Sequence, residues 1–113
     1  MAGTIKKISG PAYIASSATN IYSPANAAVD TLIRQIHVAN KDSSARTFTL
    51  YVGATGGSSG GTELYKDVSV AVGSYVDFYF TPGLRLTSSD FLSGIASSAS
   101  ALVITVMGEY IAN

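Results

Sequence analysis

His37 is the chain's single histidine and lies inside the run Gln35-Ile36-His37-Val38. Beside a serine, a histidine can act as general base for nucleophilic attack. No glycine-flanked serine at a strand-to-helix turn accompanies it, so the nucleophile elbow that such chemistry uses is missing. The alternative is a histidine on the outer face of a strand, whose titration near neutral pH would matter at a subunit contact. Carboxylates offer the next chemistry. Asp67 and Asp77 could face each other across a hairpin, with Glu63 on the strand of Asp67, and paired carboxylates are what glycoside hydrolysis requires. Neither an aromatic cleft nor a distinctive spacing goes with them. Ordinary solvated surface accounts for these acids better.

Metal and phosphate chemistry fare no better. One histidine and no cysteine exclude a protein-only zinc site of the usual kind. Asp30, Asp42 and Asp90 read as turn residues, where aspartate accepts hydrogen bonds from nearby backbone. No stretch alternates acidic ligands as a calcium loop does. The glycine-rich run from Gly53 to Gly61 would have to feed a helix and carry a close lysine to cradle phosphate. A strand follows instead, with Lys66 as the next basic residue, so the run reads as a flexible exposed connection. The residues therefore point to no enzyme, no catalytic residue, no cofactor and no metal.

Seven tyrosines remain: Tyr13, Tyr22, Tyr51, Tyr65, Tyr75, Tyr79 and Tyr110. Tyr51, Tyr75 and Tyr79 alternate with apolar residues and so should point outward. Outward tyrosines can fill a protein–protein interface, because each offers contact area and a polar tip. They can also stack on sugar rings, although the lack of tryptophan weakens that reading. Scattered surface tyrosine is the third alternative. Tyr51, Tyr75, Tyr79, Tyr13 and Tyr22 are the candidate interface residues.

The elements that must carry these residues are strands. Phe48, Leu50 and Val52 alternate with Thr47, Thr49 and Tyr51, and Val76, Phe78 and Phe80 alternate with Tyr75, Asp77 and Tyr79. That period of two marks half-buried strands. In the run from Thr31 to Asn40, Leu32, Ile36 and Val38 share a face that Arg34 interrupts. The turn formers Asn40 to Ser44 between this run and the next predict a β-hairpin. Thr81-Pro82-Gly83 should end the Tyr75 strand, with a short strand at 84–86 after it and another from Phe91 to Ser97. The last strand, from Ala101 to about Ile111, is mostly apolar on both faces, which predicts a central position or a second buried surface. Upstream of Thr31 the pattern is weaker: short strands at 5–8, 13–15 and 19–22, and a single helical turn at 25–30. Seven to nine short strands with frequent turns predict an antiparallel β-sandwich or small barrel. No segment keeps a helical period, and no internal repeat is present.

At 113 residues the chain has the length of one domain. Residues 31–113 should form the sandwich core, and residues 1–30 an N-terminal segment packed on it, or an arm. Seven basic and seven acidic residues give zero formal net charge, and only 12% of residues are charged. A nucleic-acid partner would call for a basic excess. No apolar run is long enough to span a bilayer, and polar residues follow Lys6 and Lys7 where a signal peptide would need an apolar stretch. A soluble protein with so few charges is more comfortable partly covered by neighbours.

Two stretches carry a resemblance. The run Ile33-Arg34-Gln35-Ile36-His37-Val38-Ala39-Asn40 with Asp42 to Leu50, and Phe91 to Ala96 with Val103 to Tyr110, resemble small virion proteins of tailed bacteriophages and prophages. The resemblance implies a jelly-roll-like sandwich present in many copies on the particle, of the capsid-decoration, head-fibre-base or tail-tip type. It implies as partners another copy, as dimer or trimer, and the major capsid protein or another virion protein. It implies synthesis in a bacterial cytoplasm and residence in the virion. No catalytic residues come with it.

Overall fold

The computed structural model describes residues 6–24, 27–54 and 62–112. Among them are eight strands and no helix: β1 (Lys6–Tyr13), β2 (Thr19–Tyr22), β3 (Val29–Asn40), β4 (Arg46–Gly53), β5 (Glu63–Val70), β6 (Tyr75–Leu86), β7 (Phe91–Ala96) and β8 (Leu102–Ala112). They form two four-stranded antiparallel sheets, ordered β1-β8-β3-β6 and β2-β7-β4-β5. Of the strands that follow one another in sequence, only β4 and β5 are hydrogen-bonded; every other connection crosses between the sheets. This is the double-sheet jelly roll, an antiparallel β-sandwich.

The strands form where alternation places one apolar face inward. Ile36 and Val38 of β3, Phe48 and Leu50 of β4, Leu92 of β7, and Leu102, Ile104 and Val106 of β8 meet in the buried core. At the open side between β5 and β6, Tyr65 stacks on Phe78 with ring centroids 3.9 Å apart, and Phe78 meets Phe48 edge-on at 6.2 Å. Strand β8 lies between β1 and β3, with Leu102, Ile104 and Val106 in the core and Val103, Thr105 and Met107 half-buried on the outer face.

Several expectations change. The turn formers after Asn40 do not make a hairpin, because β3 and β4 belong to different sheets. A five-residue connection spans the gap between packed sheets as readily as the gap between paired strands. Asn40 fixes the crossing, its side-chain amide donating to the carbonyls of Ser44 and Val70. Asp67 and Asp77 do not face each other, since β5 and β6 also lie in different sheets. Pro82 does not end its strand. Strand β6 continues to Leu86 because residues 80–83 bulge away opposite the single residue Arg34 and pairing resumes at Leu84. Against β8, Arg34 is an extra residue of β3 between the pairs Ile33–Gly108 and Gln35–Met107, so Ile33 and Ile36 both reach the core. Asp30 is not a turn residue: it sits in β3, 3% exposed, paired with Arg85. The helical turn at 25–30 is not formed in the described part; residues 25 and 26 lie outside the described residues, as do 1–5 of the N-terminal segment and 55–61 of the glycine-rich run. In place of the short strands expected at 5–8 and 13–15 there is one strand, β1, paired along β8 and ending at Tyr13, so Ile14 and Ala15 follow it; residue 5 lies outside the described residues.

Candidate interaction face

The outer face of the β1-β8-β3-β6 sheet gathers most of the chemistry-bearing residues. Register places them in three rows across the strands. Tyr13, Val103, Ala39 and Tyr75 form the first; Thr105, His37 and Asp77 the second; Lys7, Met107, Gln35 and Tyr79 the third. Tyr79 is 70% exposed, Tyr75 60% and Tyr13 55%. Three tyrosines therefore frame a flat sheet surface at its two edge strands.

Asp77 organises the middle. Its Oδ1 lies 2.6 Å from His37 Nδ1 and accepts from Gln35 Nε2 at 3.0 Å. Tyr75 lies over the His37 ring at 5.3 Å between centroids, and Gln35 reaches the Tyr79 hydroxyl at 3.5 Å. Asp77 is the hydrogen-bond partner of His37, and Thr105 stands opposite His37 on β8 in the same row. The His37–Asp77 pair stands on an open sheet, where water competes for every step. Its physical effect is to lock polar groups into a flat, pre-ordered surface.

Beyond the third row the face is closed by ion pairs. Arg34 Nε lies 3.0 Å from Glu109 Oε2, and Arg34 also donates to the Pro82 carbonyl on the bulge. Arg85 Nε lies 2.8 Å from Asp30 Oδ2. Glu109, 6% exposed, and Asp30 are thus buried carboxylates that keep arginines as partners. Gly83 packs against the Leu32 side chain, where a Cβ would come within 2.6 Å.

The remaining candidates fall elsewhere. Tyr51 points outward from the opposite sheet, half-buried beside Ser93 and Glu63, so it does not share a surface with Tyr75 and Tyr79. Tyr22 lies between the sheets with its hydroxyl 2.6 Å from Thr31 Oγ1, and burial raises its pKa. Tyr110 is exposed at the end of β8 beneath Lys6, whose ammonium stands 5.2 Å from the ring centroid. Asp42 and Asp90 cap their own turns, accepting from the backbone of Ser43 and Thr87. Sequence reasoning missed the His37–Asp77 and Arg34–Glu109 pairs, because their partners come from other strands 40 and 75 residues away.

Two hollows open among the described residues. One of about 170 Å³ is lined by Thr47, Thr49, Asp67 and Ser97 among others, and one of about 130 Å³ opens between β1 and β2 near Ser9, Tyr13 and Ile21. No cluster of three metal-ligating side chains occurs among the described residues.

No protein-family model and no curated protein matches the chain. Solved structures do. A protein of the Bacillus endospore appendages, described as disulfide-linked pili, is similar over 99% of this chain and 91% of its own, with TM-score 0.50 and 17% identity. A protein of the infectious bursal disease virus Gx strain is similar over 100% of this chain and 34% of its own, with TM-score 0.56 and 11% identity. A pentameric capsid protein from metagenomic phage sequences aligns over 91% of this chain and 62% of its own, with TM-score 0.39 and 16% identity. At these identities the first two likenesses establish a shared jelly-roll fold.

Proposed function

We propose that the chain is a non-enzymatic structural protein of a virus particle, a capsid decoration protein of a tailed phage that binds between major capsid subunits. The observation that carries this reading is the flat β1-β8-β3-β6 face. Its three rows present three exposed tyrosines and the apolar side chains of Val103 and Met107, with Lys7 and Asp77 as the charges among the described residues of those rows. Such a surface is suited to burial against protein rather than to turnover of a small molecule. The shared fold with a virus protein and the phage-like stretches around Ile33 to Leu50 and Val103 to Tyr110 support the virion setting. Each copy needs only modest affinity, because a lattice repeats the contact many times.

The test is gradient purification of particles from the cells that encode the chain, followed by immunoblotting. Co-banding with capsids in stoichiometric amounts is the expected result. A chain found only at the top of the gradient overturns the reading. A second reading has its own support: the appendage pilus protein matches over nearly its whole length, which favours a subunit of a surface fibre. In that case the chain leaves the gradient in filaments free of capsid protein.

A further inference from the structure

We propose that the β1-β8-β3-β6 face is covered by a second copy of the same chain, across a two-fold axis running along the strands between β8 and β3. This rests on the structural-protein reading and names the partner of that face.

Charge placement is the first argument. Lys7 lies on the edge strand β1, and Asp77 on the opposite edge strand β6. A two-fold along the strands exchanges those edges while keeping the rows in step, so each lysine comes opposite the partner's acidic edge. An isologous contact must be self-complementary in this way. A face with charges of one sign on both edges would repel its own copy.

Shape gives the second. The same operation lays Lys7 over the Tyr79 ring of the other copy, a cation–π arrangement, and Tyr13 over Tyr75. In the middle, Val103 meets Ala39, a large apolar residue on a small one. Packed sheets stand about 10 Å apart, a gap that two facing tyrosines or a lysine on a tyrosine fill. The Arg34–Pro82 bulge bounds the contact at one end.

Edge pairing is the other route by which a sheet recruits a neighbour. Here β2 has four residues, β1 breaks register twice around Pro11, β5 carries Asp67 at a φ of 50°, and Pro82 interrupts β6. The face is the better surface.

Four strands about 4.8 Å apart and five residues in length make a patch of roughly 300 Å² per copy in projection. An interface of that size belongs to the weak class. The dimer should therefore dissociate with a constant on the order of 100 μM and be held in place by the lattice.

Sedimentation equilibrium of the purified chain, with carbodiimide coupling and mass spectrometry, tests this. Within one chain Lys7 and Asp77 are three strand spacings apart, about 14 Å, too far for a zero-length link. The expected results are a concentration-dependent dimer, a Lys7–Asp77 cross-link confined to it, and loss of at least about tenfold in association for Tyr79→Ala. Circular dichroism of Tyr79→Ala should match the parent chain, and Tyr51→Ala, on the other sheet, should dimerise normally. A chain that stays monomeric near 1 mM, dimers cross-linked elsewhere, or a monomer whose Tyr75 and Tyr79 instead bind glycans on an array would each overturn the proposal. A monomer that still co-bands with capsids refutes only the two-fold dimer. A dimer that never joins a particle refutes only the virion reading.

Discussion

Removing Arg34 should cost far more than removing a surface arginine, and a double-mutant cycle with Glu109 measures how much of the cost is the pair itself. Glu109 is almost fully buried on β8, and Arg34 Nε lies 3.0 Å from it while about a third of the arginine remains in solvent. Two unit charges about 4 Å apart attract by about 4 kcal/mol at an effective dielectric constant of 20. Water at the exposed flank of Arg34 screens about half of that, leaving a coupling of about 2 kcal/mol, above the range of a surface pair. The cycle uses Arg34→Met, Glu109→Gln and both together, followed by urea unfolding. Arg34→Met also loses the hydrogen bond to the Pro82 carbonyl, but that loss appears in both arms and cancels from the coupling. A coupling of about 2 kcal/mol corresponds to roughly 10 °C in Tm for a domain of this size. A coupling below about 0.5 kcal/mol would refute the reasoning, because the pair would then behave as an exposed one.

Four further outcomes concern single sites. A Cβ on Gly108 would stand 2.1 Å from the Leu32 carbonyl oxygen and 3.0 Å from the Ile33 Cα, both backbone, so Gly108→Ala should force β8 from β3 and lower Tm by more than about 10 °C in a thermal melt. Gly73→Ala should cost only about 1 kcal/mol, since that glycine has a φ of 67° and open space around it. Burial raises the pKa of Tyr22 and Tyr65 above the ordinary phenol value; the stabilisation is complete below the unfolded value near 10 and is lost as pH climbs through the folded value. Stability measured between about pH 9 and 12 should therefore fall, and Tyr65→Phe should flatten that fall. The Asp42 carboxylate is held below its usual range, first by the Ser43 amide and then by Arg46. Its contribution is present above the ordinary aspartate value and lost as pH drops, so Asp42→Asn should remove part of the acid limb of a pH–stability curve.

The strands were legible where one face is buried and one is not. Phe48, Leu50 and Val52 against Thr47, Thr49 and Tyr51 can be read from period alone, and so can the outward direction of Tyr75 and Tyr79. The apolar faces of β8 called for either a central place or a second buried surface, and the strand lies between β1 and β3. Which strand pairs with which was not, because turn residues after Asn40 specify a reversal without saying whether it stays in the sheet. The bulge at Arg34 was visible only as an interruption of the apolar face. Its cause, Arg34 standing as an extra residue of β3 opposite the consecutive Met107 and Gly108 of β8, is a long-range register fact. The candidate tyrosines were found by outward position, and the fold then separated them: Tyr13, Tyr75 and Tyr79 share one face, while Tyr51 lies on the other sheet and Tyr22 lies inside. Tyr13 lies on β1, in the weakly patterned N-terminal segment, yet pairing of β1 with β8 brings it into the same row as Tyr75.

Cryo-electron microscopy of particles purified with the chain attached measures most directly whether it works by burying its tyrosine face. The account predicts a jelly-roll density at regular lattice positions with Tyr13, Tyr75 and Tyr79 covered by a neighbouring subunit. A well-ordered copy whose β1-β8-β3-β6 face looks out into solvent, anchored through the opposite sheet around Tyr51, would contradict it.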